Sequence, residues 1–200
     1  MAHRNHRKND PDAVRGRLLD CAAGLIIDKG LPVLTLDNVA REAGVSKGGL
    51  LHHYPGKDAL LTGLFEQVVD WFDTQVEAVL DADETVPARF SRAYLQVIAS
   101  IDMSVPEERR VAVLILMLSS DPNCCAQWNR WVEARLDRHR KTDATPLART
   151  LRLAADGLWL SDLGGGPDSQ PSTRSGILDF LQDLGVAGAG PRTSNADGGQ

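Results

Sequence analysis

The chain has 200 residues, of which 42% are hydrophobic and 24% charged, and its net charge is −5. This is ordinary globular composition, long enough for one large domain or for a small domain joined to a larger one. It excludes a uniformly basic nucleic-acid coat, a disulfide framework (three cysteines, two of them adjacent) and a membrane span, since no apolar run reaches the roughly 18 residues required.

The pattern is helical almost throughout and carries no strand alternation. The N-terminal MAHRNHRKND is basic with no apolar stretch behind it, so no secretory signal is expected and the protein reads as cytoplasmic. A first helix runs from Asp12 to Lys29, with Val14, Leu18, Cys21, Ala22, Leu25 and Ile26 on one face and Gly30 as its stop. Thr35 caps a short second helix from Leu36 to Ala43, and Gly44 ends it. Ser46 caps a third from Lys47, which Pro55 closes. Lys57 to about Ala82 is long and amphipathic. Further helices follow from Pro87 to about Asp102, from Pro106 to about Ser119, from Cys124 to about Lys141, from Pro146 to Leu163 and from Ser172 to Leu184. The Gly-rich polar stretch from Gly185 onward is expected to be disordered. The sum is an all-α fold of about nine helices. Its expected divisions are a basic arm over 1–10, a helix-turn-helix head over 11–60 with its motif at about 35–54, a helical bundle over 61–185 and a tail over 186–200.

Charge is distributed unevenly along these divisions. Residues 1–60 hold nine Lys/Arg against seven Asp/Glu, whereas residues 61–200 hold thirteen against twenty. A negatively charged partner meeting only the N-terminal end would account for this, and so would a solvated tail.

The stretch GVSKGGLLHHYPGKDALL places Gly48 and Gly49 one turn into the third helix. The second and third helices have the pattern of a helix-turn-helix. Ala40 sits where the helices cross, Gly44 makes the turn, and Val39, Val45 and Leu50 supply the apolar contacts. Each helical glycine costs about 1 kcal/mol relative to alanine. Two reasons fit that cost: close approach of the backbone to DNA, or tight helix–helix packing. His52, His53 and Tyr54 carry donors for phosphates or base edges, and either His53 or Tyr54 can instead pack inward. Adjacent histidines on a helix point about 100° apart, and no Cys, His or carboxylate stands at a useful spacing, so no metal and no cofactor is expected.

At these residues the sequence resembles the TetR family of repressors. That family's pattern is matched by Thr35, Ala40, Ala43, Gly44, Val45, Ser46, Gly48, Leu50, His53, Lys57 and Leu60. The resemblance implies DNA contact by Thr35, Ser46, Lys47, Gly48, His52, His53, Tyr54 and Lys57, with Gly49 beside them. Three positions depart from the pattern. Leu51 stands where the family often has a phosphate-contacting tyrosine, Gly49 removes a hydroxyl, and Tyr54 replaces a phenylalanine. Arg4, Arg7 and Lys8 are either an arm for an adjacent minor groove or a solvated tail. The resemblance further implies a homodimer through about 146–163 and 172–184, binding to a palindromic double-stranded operator, and release of that operator by a small molecule.

Trp71, Phe72, Tyr94, Met103, Met117, Trp128, Trp131 and Trp159 are candidates to line an apolar ligand pocket, or are plain core. Asp156 has three possible partners: Arg152 one turn earlier, a group across a dimer, or a cationic ligand. The run AADGLW resembles TetR members that repress multidrug exporters, which implies a lipophilic inducer with a cationic dye as one option. Cys124 and Cys125 are either a redox pair or packed thiols. No Ser/His/Asp arrangement, Glu-x-x-His pair or phosphate-cradling loop is present, so an enzyme is not expected. A helical adaptor that has lost DNA binding remains the alternative.

Overall fold

A computed structural model of the chain describes residues 10–83, 87–102, 105, 108, 117 and 120–187. Among these residues there are nine α-helices and no strand. In chain order they are α1 (Pro11–Lys29), α2 (Leu36–Glu42), α3 (Lys47–His53), α4 (Lys57–Ala82), α5 (Arg89–Ser100), α6 (Pro122–Arg138), α7 (Arg140–Asp143), α8 (Pro146–Gly164) and α9 (Pro171–Ala187). The helix expected over Pro106–Ser119 lies almost wholly outside the described residues, as do the arm and the end of the tail.

Two compact units divide the chain. The first comprises the described residues up to Thr74 together with those from Ile101 to Val132; the second comprises 75–100 and those from Glu133 onward. The helix α4 is continuous across residue 61, and the units part at Thr74 within it.

In the first unit the second and third helices start at their predicted caps, Thr35 and Ser46, and the first starts at Asp10, for which no cap was expected. Asp10 accepts from the Asp12 N–H, Thr35 from Asn38 and Ser46 from Gly49. Gly30 (φ 82) and Gly44 (φ 65) adopt positive φ at the ends of α1 and α2, where a side chain would be strained. Leu18, Ala22 and Ile26 of α1 are fully buried with Leu34, Val39, Leu50, Leu60 and Leu64. Each fully buried leucine contributes about 1.5–3 kcal/mol of apolar transfer.

In the second unit α5 packs on α8, burying Phe90, Tyr94, Leu95 and Ile98 with Leu151, Ala155, Leu158 and Trp159. The predicted helix from Cys124 to Lys141 is broken at His139. The break turns α7 so that the Asp143 carboxylate reaches the start of α5. It accepts from the N–H groups of Phe90 (3.1 Å) and Ser91 (2.8 Å), the Ser91 hydroxyl (2.5 Å) and the Thr142 hydroxyl (2.7 Å). Asp143 therefore caps a helix 52 residues away in sequence. The His139 ring stacks on Phe90 at 5.8 Å, and its burial lowers the imidazole pKa.

The disorder expected from Gly185 does not begin there, because α9 continues to Ala187. Gly185 lies against Arg92 and Leu151, so close that a Cβ would come within 2.9 Å of Arg92 Cδ. The residue that reads as a linker glycine is one that lets α9 sit down on the rest of its unit.

Candidate nucleic-acid interface

The helix α3 has two faces. Leu50 and Tyr54 point inward, whereas Lys47, Gly48, Leu51 and His52 are exposed. Ser46 and Thr35 use their oxygens as cap acceptors, at 3.0 and 3.1 Å. Each hydroxyl keeps its hydrogen available to donate outward. Lys47 Nζ lies 3.0 Å from the Asp37 carboxylate on α2, and both side chains are exposed. Such a surface pair contributes little, so it is readily exchanged for another anion. Lys57 stands exposed at the start of α4.

The two glycines divide the readings offered for them. A Cβ at Gly48 would meet nothing within 4 Å, and one at Gly49 would meet only its own cap, Ser46 Oγ, at 3.3 Å. Helix packing among the described residues therefore does not require them.

Of His53 and Tyr54, it is Tyr54 that packs inward. It is 3% exposed, and its hydroxyl is buried without a hydrogen-bond partner, so it does not present a donor at the surface. Its ring lies over Gly63 of α4, where a Cβ would come within 2.9 Å of Tyr54 Cε1. The Arg15 guanidinium stands 4.9 Å from the ring centroid. Burial raises the phenol pKa. The tyrosine thus packs inward against α4.

His52 and His53 meet edge to face with ring centroids 5.3 Å apart. They border an open concavity of about 460 Å³ with Pro11, Val14, Arg17, Gly44 and Val45. No group of three or more potential metal ligands occurs among the described residues.

The residues nominated for a ligand pocket form separate clusters. In the first unit, Trp128 and Trp131 stack at 4.9 Å, and Phe72 meets them at 5.7 and 5.6 Å. The Trp131 indole N–H donates to Asp73 at 2.8 Å. Trp71 is half-buried and Met117 buried, while Met103 lies outside the described residues. In the second unit, Tyr94 donates to Asp156 at 2.5 Å. Among the described residues the hydrogen-bond donor to Asp156 is thus Tyr94 and not Arg152, whose charge nevertheless acts on the carboxylate. Arg152 instead donates to Ser91 Oγ at 2.5 Å and lies 4.0 Å from the Asp143 carboxylate. Trp159 is buried, and its N–H has no hydrogen-bond partner. Burial, with the Asp121 carboxylate nearby, pushes the Cys124 thiol up to about 11.

Residues 18–64 match the family described as bacterial regulatory proteins, tetR family, and residues 88–185 match the Tetracyclin repressor-like, C-terminal domain. The chain belongs to the TetR family. Regulators of this family are transcription factors, not enzymes. It is 30% identical over 73 residues to the HTH-type transcriptional repressor KstR2 of Mycolicibacterium smegmatis, a match covering 36% of each chain. The chain thus spans about a third of that relative's length. It is 25% identical over 184 residues to the HTH-type transcriptional regulator EthR of Mycobacterium tuberculosis, covering 84% of this chain and 83% of that one. A solved structure described as the multidrug binding protein EbrR complexed with malachite green shares the fold. Its TM-score is 0.64 and its identity 23%, covering 85% of this chain and 96% of that one. No described helix is long and apolar enough to cross a membrane.

Two features of this TetR chain escaped the sequence reading. Arg15 lies 3.5 Å from the His53 carbonyl at the end of α3, and Arg17 lines the concavity beside both histidines. Their positions on α1 show helical periodicity only. What brings them to α3 is the packing of α1 beneath it, which no local pattern encodes.

Proposed function

We propose that the chain is a homodimeric, sequence-specific DNA-binding repressor, released from a two-fold symmetric operator by a small lipophilic ligand. The observation that carries the DNA reading is the open outer face of α3. Gly48 is exposed with nothing near the position of a Cβ among the described residues, on a helix start whose own cap, Ser46, is intact. Packing does not account for that glycine, whereas a backbone that approaches base edges does. Lys47 and Lys57 supply phosphate contacts, and the Thr35 and Ser46 hydroxyls fix the register. Repression is the activity named for KstR2, and it is carried to this chain by likeness.

Dimerisation is supported by the outer faces of α8 and α9. Leu153 (65% exposed), Leu160 (61%) and Phe180 (64%) stand in water on those helices. Exposed large apolar groups concentrated on two adjacent helices mark an interface. A two-fold pair of heads places its recognition helices about 34–36 Å apart, one turn of DNA.

The ligand reading is supported by the Phe72–Trp128–Trp131 cluster with the Asp73 carboxylate beside it, and by the unpartnered, buried N–H of Trp159. A buried donor without an acceptor is a place where a ligand oxygen is favoured. Malachite green, bound by EbrR, is a lipophilic cation and a first compound to try.

The test is fluorescence anisotropy of the full chain on the DNA upstream of its own gene, with a scrambled duplex and Lys47→Ala in parallel. The expected result is tight binding to the upstream duplex alone, weakened by the substitution and by salt with a steep log–log slope. Equal weak binding to both duplexes, and to a pool of random duplexes, would leave the adaptor reading in its place.

A further inference from the structure

We propose that Leu51 is a specificity residue that reads a thymine methyl group in the major groove. The inference rests on the DNA reading given above and adds to it which base the helix prefers and why.

Leu51 is 38% exposed, and it is the one large apolar side chain of the described head that stands out in water. The other exposed large apolar groups among the described residues, Leu153, Leu160, Phe180 and Val186, all lie on α8 and α9. On a helix a side chain leans toward the N-terminus and covers the turn before its own Cα. For Leu51 that turn holds Gly48 at i−3 and Lys47 at i−4. Gly48 contributes no side chain, and the Lys47 amine is drawn aside to Asp37 at 3.0 Å. With no side chain at i−3 and the Lys47 amine turned to Asp37, the isobutyl group stands partly exposed on the flank of α3, about 100° around the helix from the buried Leu50.

That arrangement suits one feature of DNA. The base edges in the major groove present donors and acceptors, and the C5 methyl of thymine is their apolar group. Leucine has nothing to donate or accept. Set against an amino or carbonyl edge, it would strip water from a polar group without replacing the hydrogen bond. Set against a methyl, it buries apolar surface on both sides. The glycine at i−3 leaves room for the methyl beside the leucine. A residue that departs from the phosphate-contacting tyrosine of the family thus gains a role in base selection.

The experiment begins with selection from random-sequence duplexes by the full chain. Each thymine of the selected half-site is then replaced singly by uracil, which removes the methyl and leaves every hydrogen-bonding group. At one position per half-site, uracil is expected to weaken binding about fourfold, and about fifteenfold when both half-sites carry it. Leu51→Ala should weaken binding to the thymine duplex and no longer distinguish uracil at that position. Leu51→Met should keep the distinction. Circular dichroism and melting of both variants should match the parent, because the residue is on the surface. The proposal is overturned if no uracil replacement changes affinity, or if Leu51→Ala retains the full thymine preference. It is also overturned if the selected half-site contains no thymine. Failure to select any sequence would overturn the DNA reading itself, a result distinct from selection without methyl dependence.

Discussion

Tyr94 of α5 donates its hydroxyl hydrogen to Asp156 of α8 at 2.5 Å, holding a carboxylate at the contact between two helices of the second unit. Desolvation raises the Asp156 pKa, and the Tyr94 hydrogen bond and the Arg152 charge oppose that rise. A carboxyl whose folded pKa lies above its unfolded value is favoured in its protonated form. Its contribution is most favourable below the ordinary aspartate value of about 3.9, and is lost as pH rises through the raised folded value. The ionised form of Asp156 is thus the one that depends on its tyrosine. Tyr94→Phe should destabilise the protein by about 2 kcal/mol at pH 7 and by less near pH 4. Asp156→Asn should be at least as stable as the parent at pH 7. Thermal unfolding at the two pH values checks both. Equal losses for Tyr94→Phe at both would show that the pair carries no charge-dependent stability.

Asp143 is a stronger dependence of the same unit. Its carboxylate is buried and accepts four hydrogen bonds from Phe90, Ser91 and Thr142. Arg152 stands 4.0 Å away as its counter-charge. Asp143→Ala leaves two N–H groups at the start of α5 without an acceptor and Arg152 without its nearby counter-charge, and should cost about 3–5 kcal/mol. Asp143→Asn, which keeps the shape and one acceptor, should cost less. Urea unfolding measures the difference, and a loss below about 1 kcal/mol for the alanine variant would remove Asp143 as the clasp of α5.

The helix-turn-helix was legible in the sequence because its determinants are local. The caps Thr35 and Ser46, the turn glycine Gly44 and the apolar trio around it act within about ten residues. Asp143 was not legible, because the helix it caps is distant in the chain and because a continuous helical pattern ran through His139. Tyr54 was ambiguous for a related reason. A hydroxyl signals a surface contact in sequence, but the space left by Gly63, on a different helix, decides that it packs inward. Asp156 shows the limit of reading one helix alone, since its donor comes from α5 and not from the arginine one turn earlier. The exposed leucine and phenylalanine of α8 and α9 are helical in pattern, but only the packed structure shows which of them remain in water.

Gly48 and Tyr54 allow stability and DNA binding to be separated. Gly48→Ala adds a methyl that meets nothing, so stability should rise by up to about 1 kcal/mol from helix propensity alone. DNA affinity should nevertheless fall, because the same methyl stands between the backbone and the groove. Tyr54→Phe removes a buried, unpartnered hydroxyl and should stabilise by about 1 kcal/mol with affinity unchanged. Melting temperatures paired with anisotropy titrations give both quantities. A Gly48→Ala variant with undiminished affinity would show that α3 does not bring its backbone close to the bases.

The proposed dimer makes the last prediction. Leu160 and Phe180 are exposed on α8 and α9, and neither packs into the core of its own unit. Leu160→Glu and Phe180→Glu should therefore leave the helical content and the monomer fold intact, while placing a like charge on each side of a two-fold interface. Mass determination by light scattering should report a dimer for the parent and a monomer for the double variant. The double variant should also lose most of its affinity for a two-half-site operator, because the second head then binds independently and not at the high effective concentration that linkage gives. Its affinity for a single half-site should match that of the parent. A double variant that remains dimeric would move the interface away from α8 and α9. One that is monomeric with full operator affinity would mean that the two heads do not bind as a pair.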